Sequence, residues 1–170
     1  MDDAFADLFE GNQRYASVAH EVAETGVARR GLAVVTCIDS RIDPLAVFGL
    51  DAGDAKILRN AGARVTDDVL RSLALAVATL GVTRVAVVQH TDCAMESSTS
   101  AELVAAVADA TGHDDLDFDP RAITEHAEVL RADVQVLLDS VLLPDGIVVG
   151  GLLLDVRSGR LTTIVEPRTS

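Results

Sequence analysis

The sequence predicts an α/β fold: a mostly parallel central sheet with flanking helices and an antiparallel C-terminal strand or hairpin. Three observations predict it. Short apolar runs at 31–37 (GLAVVTC) and 84–89 (RVAVVQ) read as strands buried on both faces. Segments with apolar residues at helical spacing lie between such runs, and strand–helix alternation implies parallel pairing through right-handed crossovers. The chain closes on two strand-like runs, 147–156 and 160–165, around Ser158-Gly159, which is a hairpin signal.

In chain order, residues 3–19 read as a helix, with Phe5, Leu8, Phe9 and Tyr15 at helical spacing. After the 31–37 strand, Ser40 and Asp43 offer a capping-box-like start for a short helix through Phe48, stopped by Gly49. Residues 54–59 (DAKILR) fit a second strand. Residues 66–80 are the best helix signal in the chain, with Thr66 as N-cap, Asp67 and Asp68 in the first turn and Gly81 just beyond the end. Further helices are expected near 99–110 and 120–140, separated by the acidic loop 111–119. Pro144 and the Asp145-Gly146 turn end the second of them.

A chain of 170 residues with no repeat or long linker is read as one domain, 1–170, with residues 1–30 expected to form an N-terminal helical arm. The net charge is −13, with Lys56 the one lysine against 27 acids. Phosphate binding needs clustered positive charge, so nucleic acid is excluded as a partner, and anionic membrane surfaces are repelled. No apolar run reaches the ~18 residues of a membrane span. The acidic, amphipathic start is unlike a secretory signal, and a cytoplasmic protein is expected.

Cys37 and Cys93 are the two cysteines. In a reducing cytoplasm a disulfide between them is not expected, which leaves buried core, nucleophile or metal ligand. Cys37 closes the first strand in C-I-D-S-R, and His90 closes the third in H-T-D-C. Ligands of open α/β sheets sit beyond the carboxyl ends of the strands, where both fall. Two thiolates and an imidazole suit zinc, and three protein ligands leave the fourth position that a catalytic zinc needs. A thiol phosphatase loop would need arginine at 43, where the chain has Asp43. Asp39 is close enough in sequence to serve a nucleophile at the metal, and Arg41 could hold Asp39 ionised by a bidentate pair. An ordinary loop ion pair fits those two residues equally well.

The series C-I-D-S-R, R-N-A-G (59–62), V-T-D-D-V-L-R-S-L-A (65–74) and H-T-D-C resembles the β-class carbonic anhydrases in order and spacing, most strongly over residues 30–96. The resemblance implies Zn2+ held by Cys37, His90 and Cys93, with Asp39 and Arg41 as the catalytic dyad. It makes Asp39 a conditional fourth ligand and puts Gly62 at the substrate pocket. It further implies reversible hydration of carbon dioxide to bicarbonate and a proton, and a homodimer or homotetramer in which the N-terminal arm lies on the partner. Relatives of this family hydrolyse carbonyl sulfide or carbon disulfide, so the same site could take those substrates. A zinc protein without catalysis is a further alternative, against which the retained Asp39 and Arg41 speak. The family commonly has glycine after the second cysteine, and here that residue is Ala94, harmless unless the position requires positive φ. With only four Phe and one Tyr, an aliphatic pocket is expected. His20, His113 and His126 are expected to be solvent-facing or structural.

Overall fold

Short runs rich in aliphatic residues become the strands of the computed structural model, which describes residues 4–18 and 25–169. These are β1 (Leu32–Cys37), β2 (Ala55–Asn60), β3 (Arg84–His90), β4 (Val148–Leu154) and β5 (Leu161–Thr169). They form one sheet of order β2-β1-β3-β4-β5. The first three pairings are parallel and β4–β5 is antiparallel. This is the expected mostly parallel sheet with a C-terminal hairpin. The β1–β3 neighbourhood, with Thr36 beside Val88, brings the ends of the two ligand-bearing strands together.

Six-residue parallel strands need cover on both sides, and alternation along each strand divides the core accordingly. Ala33, Val35, Val85 and Val87 face helices α3 (Asp67–Thr79) and α5 (His126–Leu138), against Val69, Leu73, Leu130, Val134 and Leu137. Val34, Val88 and Leu154 face the other way, with Ile42, Ala63, Met95, Ile123 and both cysteines. The second cluster therefore surrounds the candidate ligands.

Helix ends follow the capping chemistry, with two corrections. Helix α2 (Pro44–Phe48) is capped by Asp43 alone, whose carboxylate accepts from Leu45 and Ala46 N–H; Ser40 plays no part. Thr66 caps α3 as expected. Thr99 and Glu102 form a capping box at α4 (Ser100–Thr111). The helix expected from residue 120 begins only at His126, with Glu125 as N-cap. Tertiary contacts explain the delay. Arg121 adopts φ 57° and donates to the Val65 carbonyl, and Ile123 is buried with its N–H on the Met95 carbonyl. Residues 120–125 are thus drawn out of helical geometry to floor the site.

Helix α1 (Ala6–Ser17) is shorter than the expected 3–19 and buries none of its residues. Within the 1–30 arm, residues 1–3 and 19–24, including His20, lie outside the described residues. Phe5, Leu8, Phe9 and Tyr15 are each about three-fifths exposed. Among the described residues, no helix is long and apolar enough to cross a membrane.

One buried ion pair fastens α5 to the site loops. Arg64 donates to Asp133 at 2.7 and 3.3 Å and to the Arg121 carbonyl at 2.9 Å, while the Asp133 side chain is only 3% exposed. Removing one partner of such a pair strands the other charge, which costs about 3–5 kcal/mol. Asp133→Ala is accordingly expected to lose that much in urea unfolding, and a loss below about 1 kcal/mol would show that the pair is dispensable.

Candidate metal centre

Strand ends and the turn after β3 converge on three buried donors. Cys37 is the last residue of β1, His90 the last of β3, and Cys93 follows in the next turn, at 4, 1 and 2% exposure. Their ligand atoms all lie within 4.8 Å of one another. The two Sγ atoms are 3.9 Å apart. Two thiolates on one tetrahedral zinc, at a Zn–S distance of about 2.3 Å, would stand about 3.8 Å apart. The spacing and the sulfur–nitrogen chemistry fit zinc.

The imidazole is oriented as a ligand should be. His90 Nδ1 lies 2.8 Å from the Thr91 carbonyl, and Nδ1–H donation there leaves the Nε2 lone pair facing the sulfurs. Nε2 is buried without a hydrogen-bond partner, a cost that a bound cation would remove. The Cys93 thiol, against the cost of burial, stabilises the Cys37 thiolate and pulls its pKa well below the ordinary thiol value. His90 and the backbone N–H groups of Asp39 and Gly62 act the same way. Cys93, giving its hydrogen bond to Cys37 and buried beside it, is pushed up. Burial disfavours charged His90, but its contacts with Cys37 and Thr91 and the nearby charges raise it overall. Ligating a metal requires both sulfurs as thiolates, so Cys93 must release its proton as well.

Asp39 stands beside this set, outside the mutual 4.8 Å group, with Oδ2 3.8 Å from His90 Nε2. It is held by Arg41: Nη2 to Oδ2 at 2.6 Å, Nε to Oδ1 at 3.0 Å, and the backbone N–H to Oδ1 at 2.9 Å. Those side-chain bonds, then the backbone bond, keep the Asp39 carboxyl far below the usual carboxylate range. It is therefore charged at neutral pH.

Gly62 is buried at φ 75°, in a 3₁₀ turn (Ala61–Ala63), where its backbone reaches Cys37. A Cβ there would stand 3.3 Å from Met95 Cγ and 3.4 Å from Ile123 Cδ1. The buried cluster around it holds Ile42, Ala63, Val88, Met95, Ile123 and Leu154, with Phe48 packed against it. Ala94 is not in the positive-φ region, so its Cβ is harmless; the left-handed residue of this turn is Asp92 (φ 56°). His113 is exposed. His126 is structural, with Nδ1 2.8 Å from Gln89 Oε1 and Nε2 3.2 Å from Glu96.

Arg59, the first residue of R-N-A-G, has a role that its motif does not reveal. Its guanidinium donates to the Cys37 and Asp39 carbonyls at 2.8 and 2.7 Å and so shapes the loop that carries both residues. An arginine near the end of a strand, directly before the R-N-A-G asparagine, was the available signal. Met95 and Ile123 carried none, because their place depends on the tertiary path of the 120–125 segment.

Fold and site together define an α/β protein with two cysteines and one histidine placed to hold a metal ion and a charged Asp–Arg pair alongside. The family profile described as carbonic anhydrase matches residues 32–138, and the chain belongs to the β-carbonic anhydrase family. Beta-carbonic anhydrase 1 of Mycobacterium tuberculosis is 32% identical over 133 residues, covering 78% of this chain and 81% of that protein. A carbon disulfide hydrolase of Acidithiobacillus thiooxidans is 29% identical over 174 residues, covering 90% and 85%. The crystal structure of carbonic anhydrase from Streptococcus mutans superposes with a TM-score of 0.88 at 36% identity, over 96% of this chain and 99% of that one.

Proposed function

We propose that the protein is a zinc enzyme that reversibly hydrates carbon dioxide to bicarbonate and a proton. The observation that carries this reading is the Asp39–Arg41 pair beside a three-donor site, since a purely structural metal needs neither residue. Cys37, His90 and Cys93 hold the ion, with His90 fixed in its tautomer by the Thr91 carbonyl. When bound, zinc supplies the Lewis acidity that lets a water ionise near pH ~7. Asp39, kept charged by Arg41, accepts a hydrogen bond from the attacking water and aims its lone pair at the electrophilic carbon. Because its own proton affinity is so low, Asp39 orients that water without keeping its proton. The mostly aliphatic surroundings of the donors suit a small apolar substrate. If Arg41 releases it, Asp39 is near enough to become a fourth ligand.

The likeness to carbon disulfide hydrolases supports a second reading in which the same site attacks carbonyl sulfide or carbon disulfide. Metal analysis and stopped-flow assays on all three substrates separate them. About one zinc per chain with carbon dioxide as the fastest substrate supports the proposal. Zinc without any hydration would sink it.

We further propose a homodimer or homotetramer in the cytoplasm. The exposed Phe5, Leu8, Phe9 and Tyr15 on α1 support a partner-binding arm, because side chains of this size gain about 1.5–3 kcal/mol each when fully buried. Light scattering is expected to give a dimer or larger for the full chain and a smaller species after deletion of residues 3–19. A full-length monomer at micromolar concentration would refute the assembly.

A further inference from the structure

The turn that joins His90 to Cys93 holds a non-glycine residue in a left-handed backbone conformation. Asp92, between His90 and Cys93, has φ 56°, in the left-handed region where a Cβ crowds the following carbonyl. Two arginines bond to it, one at its carbonyl and one at its carboxylate. Arg41 Nη2 donates to the Asp92 carbonyl at 2.9 Å. Arg157 donates from Nε to Asp92 Oδ2 at 2.7 Å, and its Nη2 lies 2.7 Å from the same oxygen.

The hairpin tip that presents Arg157 is closely braced. Asp155 Oδ1 accepts from Arg157 N–H and Ser158 N–H, and Asp155 N–H donates to the Arg160 carbonyl. Val156 N–H donates to Thr91 Oγ1 at 3.2 Å, one residue from Asp92. The tip thus binds the Asp92 carboxylate while Arg41 binds the carbonyl of the same residue. Arg157 itself is 82% exposed. Arg41 is half exposed and carries a flexible side chain, so the Asp92 carbonyl is the second anchor that limits its freedom beside Asp39.

We propose that Arg157 is a positioning residue: it holds the Asp92 carboxylate, keeps Asp92 left-handed, and thereby presents the carbonyl that anchors Arg41 against Asp39. This rests on the reading of Asp39 and Arg41 as the catalytic dyad.

The test uses the zinc-loaded full chain and compares Arg157→Ala in two backgrounds, wild type and Asp92→Gly. Glycine adopts positive φ without a Cβ penalty and offers Arg157 no carboxylate. In the wild-type background, Arg157→Ala is expected to lower kcat for carbon dioxide hydration about two- to five-fold, the range of an exposed ion pair, with zinc content unchanged. In the Asp92→Gly background it is expected to change nothing further. Arg157→Lys, which keeps one charged donor, should fall between. A second readout does not depend on turnover: solvent exchange of the Arg41 Nε–H, followed by NMR, should quicken in Arg157→Ala and be insensitive to it when residue 92 is glycine. Quickened exchange in a protein that hydrates no carbon dioxide in any form would uphold the positioning role and reject the hydration reading. Equal losses in both backgrounds, or neither readout moving in the wild-type background, would overturn the inference.

Discussion

Replacing Cys37 or Cys93 with serine is expected to remove zinc and activity together. A thiolate binds zinc because it ionises readily and is soft, whereas a serine hydroxyl does neither near neutral pH. The pair at 3.9 Å cannot lose one sulfur and keep a three-donor set, since no other cysteine exists and the remaining candidate, Asp39, is bound to Arg41. Cys37→Ser carries a second penalty, because the N–H groups of Asp39 and Gly62 that favour the thiolate would face a neutral oxygen. The fold should persist, as the larger apolar cluster against α3 and α5 contains neither cysteine. Metal analysis of both variants, alongside circular dichroism, checks this. Full zinc occupancy in either folded variant would reject the ligand assignment.

The second large effect separates catalysis from metal binding. Asp39→Asn keeps the side-chain size and removes its charge, so zinc should stay while turnover falls by about 100-fold, typical for loss of a positioned orienting group. Arg41→Ala should act through Asp39. With the guanidinium gone, the Asp39 pKa rises from its depressed value toward the ordinary ~3.9, so its charge is lost as pH falls through that range. A freed carboxylate also competes best for the metal at low pH, where hydroxide is scarce. Both effects have the same sign, and the activity of Arg41→Ala should fall most on the acid side. The two substitutions together should cost little more than the worse one, because the residues act as a unit. Losses that multiply fully would mean independent roles, and near-normal hydration by Asp39→Asn would leave the metal site standing and the mechanism wrong.

Much of this was legible in the chain because the relevant physics is local. Apolar runs bounded by turn residues marked β1 and β3, and Thr66 with two following acids marked α3. Cys37 and His90 closing their strands, with Cys93 three residues on, marked the site, since α/β sheets place ligands at those ends. Asp39 and Arg41, two residues apart, form the bidentate pair that their spacing allowed.

What only the tertiary structure decided depends on contacts between segments distant in sequence. That α5 starts at His126 rather than near 120 follows from Ile123 bonding to Met95 and Arg121 to Val65, partners that helical periodicity does not encode. The strained residue of the ligand turn proved to be Asp92 and not Ala94, because Arg41 and Arg157 meet there from loops 51 and 65 residues away. Local spacing determines which side chains can reach a strand end. Which of them are held there, and in what backbone conformation, is set by the long-range hydrogen bonds that only the assembled sheet can offer.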